Sequence, residues 1–393
     1  MDKPDTAAIK HSTANTFPGF LFLYAALYAA YGTESAYMPA FLRDHGLLLE
    51  QIGYVLAAGT VVRILVGPMV GRLADHLDAR KPILSAAAGL SGVIGFAYNL
   101  AYGFMPLLGV SMAHAAVTAS LAPLSDALAV TASANGRAFQ YGWVRGAGSA
   151  AFVGGTLVSG QLVDRFGLSS IIVISSILFL VMAFCTTWLH SSLATPASAG
   201  DINVGAFRAL WNIPVFRRLV VVAVMVIGSH ALNDTFSVIH WREVGYGNLA
   251  ISLLWSESVV AEVAVFLLLG PWLIERLGPA GAAMLSAGAG VLRWGVMGTT
   301  SAMPALVGVQ ALHGLTFALM HLAAMGIIAR SVPDRLAATA QTVYGTGALG
   351  IASAVMTIAS GYLYGWFGIS AFWVMAALCA VALPLAGGIA RGA

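Results

Sequence analysis

Hydrophobic positions in this chain come in long unbroken runs, separated by short polar breaks. The pattern predicts twelve apolar helices, at about 17–41, 51–74, 81–101, 104–132, 139–162, 168–190, 215–241, 250–273, 280–300, 303–330, 337–361 and 368–388. Several exceed the ~18 residues that an apolar helix needs to cross a bilayer. Residues 191–213 (SSLATPASAGDINVGAFRALWNI) form the longest polar stretch and are predicted to be a linker. On either side, residues 1–190 and 214–393 are expected to form one six-helix bundle each.

Composition agrees with the pattern. Of the 393 residues, 59% are hydrophobic and only 9% charged, with a mean hydropathy of +0.86. Soluble domains carry about 25% charged residues, so a soluble enzyme, a nucleic-acid binder and a disordered chain are all excluded. A membrane β-barrel would alternate polar and apolar positions, which these runs do not. The expected class is an all-α membrane protein with the lipid bilayer as its surroundings. Cys185 and Cys379 both fall inside apolar runs, which excludes a disulfide framework. The polar N-terminus has no cleavable signal pattern.

Lys and Arg are distributed unequally between the loops. One side, made of the N-terminal tail, the even-to-odd connections and the C-terminal tail, carries thirteen: Lys3, Lys10, Arg72, Arg80, Lys81, Arg137, Arg208, Arg217, Arg218, Arg276, Arg330, Arg335 and Arg391. The other side carries three, Arg43, Arg165 and Arg242. Basic residues accumulate on the cytoplasmic side, so both termini and the linker are expected in the cytoplasm of a cell whose plasma membrane holds the protein, as in a bacterial inner membrane.

The remaining basic residues, Arg63, Arg145 and Arg293, lie inside spans with Glu34, Asp126, Asp234, Glu257, Glu262 and the histidines His114, His230, His313 and His321. A charge at the centre of a span costs ~2.5–3.5 kcal/mol on insertion scales unless it is paired or hydrated. A passive scaffold has no need of these residues, whereas a substrate or proton pathway has. Helical spacing sorts them into stripes. Tyr24, Tyr28, Tyr31 and Ser35 share a face of span 1, with Glu34 at its edge. Ser111, His114, Thr118 and Ser125 share a face of span 4, with Asp126 beside it. Span 7 aligns His230, Asn233, Asp234, Ser237 and Trp241, and span 10 aligns Gln310, His313, Phe317 and His321. The stripes recur every third helix, as they would if spans 1, 4, 7 and 10 lined a common cavity. Of the two acids in span 8, Glu262 is expected to face that cavity and Glu257 to lie elsewhere. Arg63 reads as structural.

The two halves repeat. SGQLVDRFGLSS (159–170) precedes SGYLYGWFGISA (360–371) by 201 residues, and Gly67-Pro68 precedes Gly270-Pro271 by 203. The 2–3 connection, GRLADHLDARK (71–81), resembles the loop signature of the major facilitator superfamily, Gly-x-Leu-Ala-Asp-basic-x-Gly-basic-basic. Gly71, Leu73, Ala74 and Asp75 match, Asp78 stands at the second Gly, and the basic pair Arg80-Lys81 is displaced by one. In that family the loop gates, and the resemblance implies a gating role for Gly71, Asp75 and Arg80. Gly71 would let two helices approach, and Asp75 would cap or pair across the bundle.

Longer stretches resemble one branch of the superfamily, the phenylpropionic acid permeases. These are PLSDALA (123–129), YGWVRGAGSAAF (141–152), GSHALNDTFSVIHW (228–241), WSESVVAEV (255–263), VLRWGVMG (291–298) and LHGLTFALMHLAAM (312–325). The branch is similar to lactose permease and to nucleoside–proton symporters. The resemblance implies substrate-binding roles for Asp126 and Arg145 and proton-coupling roles for Arg293 and His313, with Glu262 near another functional acid. Lactose permease has a proton-carrying Glu three residues after its histidine; here that position is Thr316. From the resemblance, neutral residues would be expected where Glu34, Asp234 and Glu257 stand.

The residues themselves suggest that Asp126 and Arg145 neutralise each other until a substrate carboxylate takes Arg145 through a bidentate contact. Tyr28, Tyr31, Glu34, His230, Asp234, Trp241, His313 and Phe317 join them as candidate substrate contacts, the aromatics as a wall. Glu262, Asp234, Arg293 and His313 are the candidate proton-coupling set. Gly142, Gly146 and Gly148 in span 5 and Gly345, Gly347 and Gly350 in span 11 are expected to allow close, sliding helix contacts. The expected activity is proton-coupled uptake of a small organic acid, an aromatic carboxylate such as phenylpropionate, by alternating access. Symport of a sugar or nucleoside is the alternative, and a drug–proton antiporter a weaker one, because span 5 lacks the Pro of the exporter element. No phosphate loop, metal-ligand spacing or nucleophile elbow is present, so neither an enzyme nor a cofactor is expected beyond the coupling proton. The chain is expected to act as a monomer.

Overall fold

The computed structural model describes residues 16–136, 139–189 and 204–390. Lys3, Lys10, Arg137, Arg391 and the first thirteen residues of the linker (191–203) lie outside the described residues. Within them the chain is helical, and its spans follow the apolar runs. The first half comprises Thr16–Ser35 with Met38–Asp44, Leu49–His76, Arg80–Phe96, Phe104–Thr118 with Leu121–Gly136, Tyr141–Phe166, and Ser169–Thr187. The second begins with Pro214–Gly228 and His230–Glu243, then Asn248–Ala264. Gly278, at φ 67°, breaks Gly270–Met297 into the end of span 8 and all of span 9. Met303–Gln310 with Met320–Ser331, Asp334–Val343 with Ala352–Phe367, and Phe372–Ala390 complete the set. Among the described residues, eight helical stretches are long and apolar enough to cross a membrane, two of which (Asn248–Met297 and Asp334–Ile389) run through a pair of spans each. Spans 1 and 5 are the less apolar ones, diluted by tyrosine, glycine and the charges Glu34, Arg145, Asp164 and Arg165.

The predicted linker is not polar to its end. Val204–Trp211 is a helix, with Phe207 and Trp211 stacked at 5.8 Å and Leu210 buried in the core of the second unit. The i, i+3, i+4 spacing of these three apolar residues is that of an amphipathic helix.

The described residues group into two compact units, those within Met1–Gly46 and Val62–Ala197, and those within Leu47–Val61 and Ser198–Ala393. The first is built on Phe20, Leu23, Leu27, Leu84, Phe179 and Met182. Its spans 1 and 5 touch backbone to backbone: a Cβ on Gly155 would meet Ala29 O at 2.5 Å, and Thr156 Oγ1 donates to Gly32 O at 3.0 Å. The glycines named from sequence behave differently. Gly148 lies against the Tyr28 ring, whereas Gly142, Gly146, Gly345 and Gly347 face open space. Small residues matter in a membrane where backbones approach, and between spans 1 and 5 that is at Gly32 and Gly155. Gly155→Leu is expected to destabilise the first unit by about 1–3 kcal/mol or more by overpacking. Gly154→Leu, which meets nothing within 4 Å, should leave thermal unfolding in detergent nearly unchanged.

In the second unit the start of span 2 packs on the end of span 11. A Cβ on Gly53 would meet Thr357 O at 2.8 Å, one on Gly361 would meet Glu50 Cα at 2.9 Å, and the Tyr54 and Tyr362 hydroxyls share a hydrogen bond of 2.9 Å. Three π-helical turns interrupt its helices, Val265–Leu269 in span 8, Gly314–Leu319 in span 10 and Tyr344–Ile351 in span 11. Outward-facing Phe22, Leu65, Met69, Leu267 and Leu268 are exposed, as lipid-facing positions of a spanning helix are.

In the 2–3 connection, Arg80 Nε donates to Asp75 Oδ1 at 2.6 Å, so Asp75 pairs within its own loop and not across the bundle. Gly71 faces open space and brings no helix closer. Lys81 Nζ donates to Leu189 O at 2.5 Å, tying the loop to the end of span 6. Asp78, at the place of the signature's second Gly, is the one non-glycine with positive φ among the described residues (47°). Asp tolerates this region better than most residues, but a Cβ there still costs ~1–2 kcal/mol. Asp78→Gly should therefore raise the unfolding temperature, and Asp78→Val should lower it.

Candidate functional site

In the first unit three spans meet at Asp126. Its Oδ1 accepts hydrogen bonds from Tyr24 Oη at 2.5 Å and Tyr141 Oη at 2.9 Å. Tyr24 stacks on Tyr28 with centroids 5.8 Å apart, and the Arg145 guanidinium lies 4.7 Å over the Tyr28 ring. Arg145 Nη1 also donates to Ser149 Oγ at 3.3 Å. The expected Asp126–Arg145 ion pair does not form. Two phenolic hydroxyls satisfy the carboxylate, and the aromatic face holds the guanidinium through a cation–π contact. Among the described residues no carboxylate comes within salt-bridge distance of Arg145, and the side chain is exposed.

Tyr31 points elsewhere, donating to Thr118 O at 3.3 Å and meeting the Phe179 ring edge-on at 5.7 Å. Glu34 is 8% exposed, beside the Ser175 hydroxyl and within the field of Arg63. That field also reaches Tyr31, Tyr98 and His114. Arg63, read from sequence as structural, thus acts on Glu34 through space, with no ion pair between them among the described residues. The available signal was one acid and one base in consecutive spans.

The second unit gathers its residues around Arg293, which is fully buried. Nη2 donates to Gln310 Oε1 at 2.7 Å, and Nη1 to Thr316 Oγ1 at 3.2 Å and His313 Nδ1 at 3.0 Å. The guanidinium lies 4.4 Å over the Trp294 ring, whose Nε1 donates to Ser229 Oγ at 2.8 Å. On its far side, His313 Nε2 is 3.4 Å from Glu262 Oε2. A guanidinium only donates, so Nδ1 must accept and the ring proton sits on Nε2, directed at Glu262. His313 therefore stands between the arginine and the acid, which do not touch.

Phe317 stacks on His313 with centroids 5.6 Å apart, and His230 meets His313 edge-on at 5.0 Å. His230 is buried, and neither ring nitrogen has a partner among the described residues. An unsatisfied buried group costs ~1–3 kcal/mol, so this ring has hydrogen-bonding capacity in reserve. Asp234 accepts from Asn233 Nδ2 at 3.0 Å, is exposed, and feels the charges of His313, Arg293 and Glu262. Trp241 is 1% exposed and does not join them; it packs in the core near the end of span 7. Glu257 is half-buried and, among the described residues, has no hydrogen bond or ion pair to these groups. Thr316 donates to the backbone and accepts from Arg293. Sequence reasoning missed that Gln310 and Thr316 serve Arg293 as neutral acceptors.

The helical spans among the described residues, with charged side chains held inside them, fit a membrane transporter of the major facilitator type rather than an enzyme. The chain belongs to the MFS_1 like family, whose model matches residues 16–375. It is 33% identical over 368 residues to the probable 3-phenylpropionic acid transporter of Escherichia coli (strain K12), covering 92% of this chain and 94% of that protein. It is 24% identical over 379 residues to the maltose permease of Geobacillus stearothermophilus, covering 95% and 94%. Among solved structures, the nucleoside transporter NupG superposes with a TM-score of 0.82 at 16% identity, covering 95% of this chain and 98% of that one. It is an integral membrane transporter of a small-molecule substrate.

Proposed function

We propose that the protein is a proton-coupled symporter that takes up a small aromatic carboxylate such as phenylpropionate by alternating access. The observation that carries this reading is Arg145: an exposed guanidinium lying on an aromatic ring, unpaired with an acid, while the neighbouring Asp126 is held by two tyrosines. A carboxylate fits the guanidinium fork, and Tyr28 offers its ring to the aromatic part. The 33% identity to a probable 3-phenylpropionic acid transporter supports the same substrate class.

Proton coupling is assigned to the second unit. His313 Nδ1 is occupied by Arg293, so an imidazolium forms there only if Arg293 lets go. Glu262, directly accessible to the His313 Nε2 proton, is the acid that takes up the transported proton, and Asp234 adds a second carboxylate to its field. Release of Arg293 would then link protonation to conformational change. Both termini are assigned to the cytoplasm on the Lys and Arg bias of the loops, and the working unit is the monomer, with the proton as coupling ion and no other cofactor.

The test is proton flux into proteoliposomes loaded with a pH-sensitive dye and challenged with phenylpropionate, a sugar or a nucleoside. Protein-free and Arg145→Ala vesicles correct for passive entry of the weak acid. Acidification with phenylpropionate alone, above both controls, supports the proposal. A response to the sugar or nucleoside alone replaces it with the neutral-substrate reading, and no response to any overturns symport.

A further inference from the structure

Span 10 carries a second histidine, His321, that the site above does not use. Its Nδ1 is 3.4 Å from the Tyr344 hydroxyl of span 11, and its ring meets Phe266 of span 8 edge-on at 6.0 Å. Tyr344 is 1% exposed. All three residues sit in or beside the π turns. Phe266 lies in Val265–Leu269, Tyr344 opens Tyr344–Ile351, and Gly314–Leu319 separates the two histidines.

That last turn sets the register. In a regular helix of 3.6 residues per turn, eight residues would leave His321 about 80° away from His313. A π turn absorbs one extra residue, so the two rings return to within about 20° of one face, roughly two turns or 11 Å apart along the axis. Phe266, one turn beyond Glu262 in span 8, lands on His321 as Glu262 lands on His313. The titratable groups acting on His321 are Tyr344, through its hydrogen bond, and Glu262, through space.

The two histidines differ in what occupies Nδ1. At His313 it is a guanidinium, which cannot accept a proton. At His321 it is a hydroxyl, which donates to the neutral ring and, on rotating, accepts from the charged one. His321 can thus gain a proton without losing its partner.

We propose that His321, held by Tyr344, is the next station for the transported proton after Glu262, on the side of span 10 that leads to the 10–11 connection. The inference rests on the symport reading above and on its assignment of that side to the cytoplasm. The Glu262 carboxyl gives up its proton to a water in the cavity and becomes a carboxylate; that water passes a proton on to neutral His321, which becomes an imidazolium, both side chains being only partly buried. Tyr344 turns from donor to acceptor, and the imidazolium then releases a proton to water on that side.

The experiment compares two modes in proteoliposomes of wild type, His321→Asn, His321→Gln and Tyr344→Phe. One is exchange of labelled for unlabelled phenylpropionate, which needs no net proton release. The other is net phenylpropionate efflux with its proton, followed by the internal dye across a range of pH. Both His321 variants should exchange within about twofold of wild type and lose tenfold or more of net flux. Tyr344→Phe should keep exchange and shift the pH dependence of net flux. Wild-type net flux and pH profile in the His321 variants would overturn the inference. So would loss of exchange in both, which would place His321 in the substrate site or the fold. A wild-type protein that carries no proton with phenylpropionate would instead overturn the symport reading, and this one with it.

Discussion

Arg145→Ala is expected to weaken phenylpropionate binding about 100- to 1,000-fold, the ~3–4 kcal/mol of a charge-assisted, two-pronged contact. The loss should fall on the carboxylate alone. Phenylpropanol, which has the ring without the charge, should bind wild type weakly and the variant equally so. Arg145→Lys keeps the charge but not the fork and should recover part of the affinity. Because Arg145 is exposed and its hydrogen bond to Ser149 is 3.3 Å long, none of these substitutions should lower the unfolding temperature by much. Calorimetric titration of purified protein in detergent reads the affinities directly. Equal phenylpropionate affinity in Arg145→Ala and wild type would remove Arg145 from the site and leave Arg63 as the carboxylate receptor of the first unit.

Glu262→Gln should separate exchange from accumulation. The amide is nearly isosteric, and its oxygen can still accept the Nε2 proton of His313, so the Arg293–His313 bond and the fold should persist. What the amide cannot do is carry a proton. Under a one-unit pH difference, an electroneutral one-proton symporter supports about tenfold accumulation, the 1.36 kcal/mol per pH unit of the gradient. In the variant that ratio should fall to about one, above the protein-free control, while exchange continues. Tenfold accumulation by Glu262→Gln would move the proton carrier to Asp234, the other acid whose charge bears on His313.

How far the sequence carried these conclusions depends on the kind of interaction. The spans were legible because bilayer thickness sets a length that apolar runs must meet, and Leu49–His76 or Ser169–Thr187 needs no partner to declare itself. Helical spacing on span 10 put Gln310, His313 and Phe317 on one face, and they do converge near Arg293. Partners across helices were not legible. The stripe of span 1 contained Tyr24, yet nothing in its spacing said that its hydroxyl would take Asp126 and leave Arg145 to Tyr28. Two charges in adjacent spans suggest an ion pair, and only packing shows that neutral hydrogen-bonding groups intervene, as they also do between Arg293 and Glu262. Trp241 shared the span 7 face by angle, but sits far enough along the axis to be core. The π turns were invisible because they have no residue preference strong enough to read. The helix Val204–Trp211 was hidden by its length, too short for periodicity to outweigh the polar residues before it.

The contact between Arg293 and Trp294 gives the protein an optical signal of its own. Trp294 is fully buried between the guanidinium, at 4.4 Å, and the stacked Phe372 ring, with its N–H on Ser229. Indole emission responds to a charge held against the ring, so any step that draws Arg293 away should change its wavelength and yield. The chain has nine tryptophans, and a variant retaining Trp294 alone would isolate that emission. Its fluorescence during turnover would time the movement of one side chain inside the bundle, with no label attached.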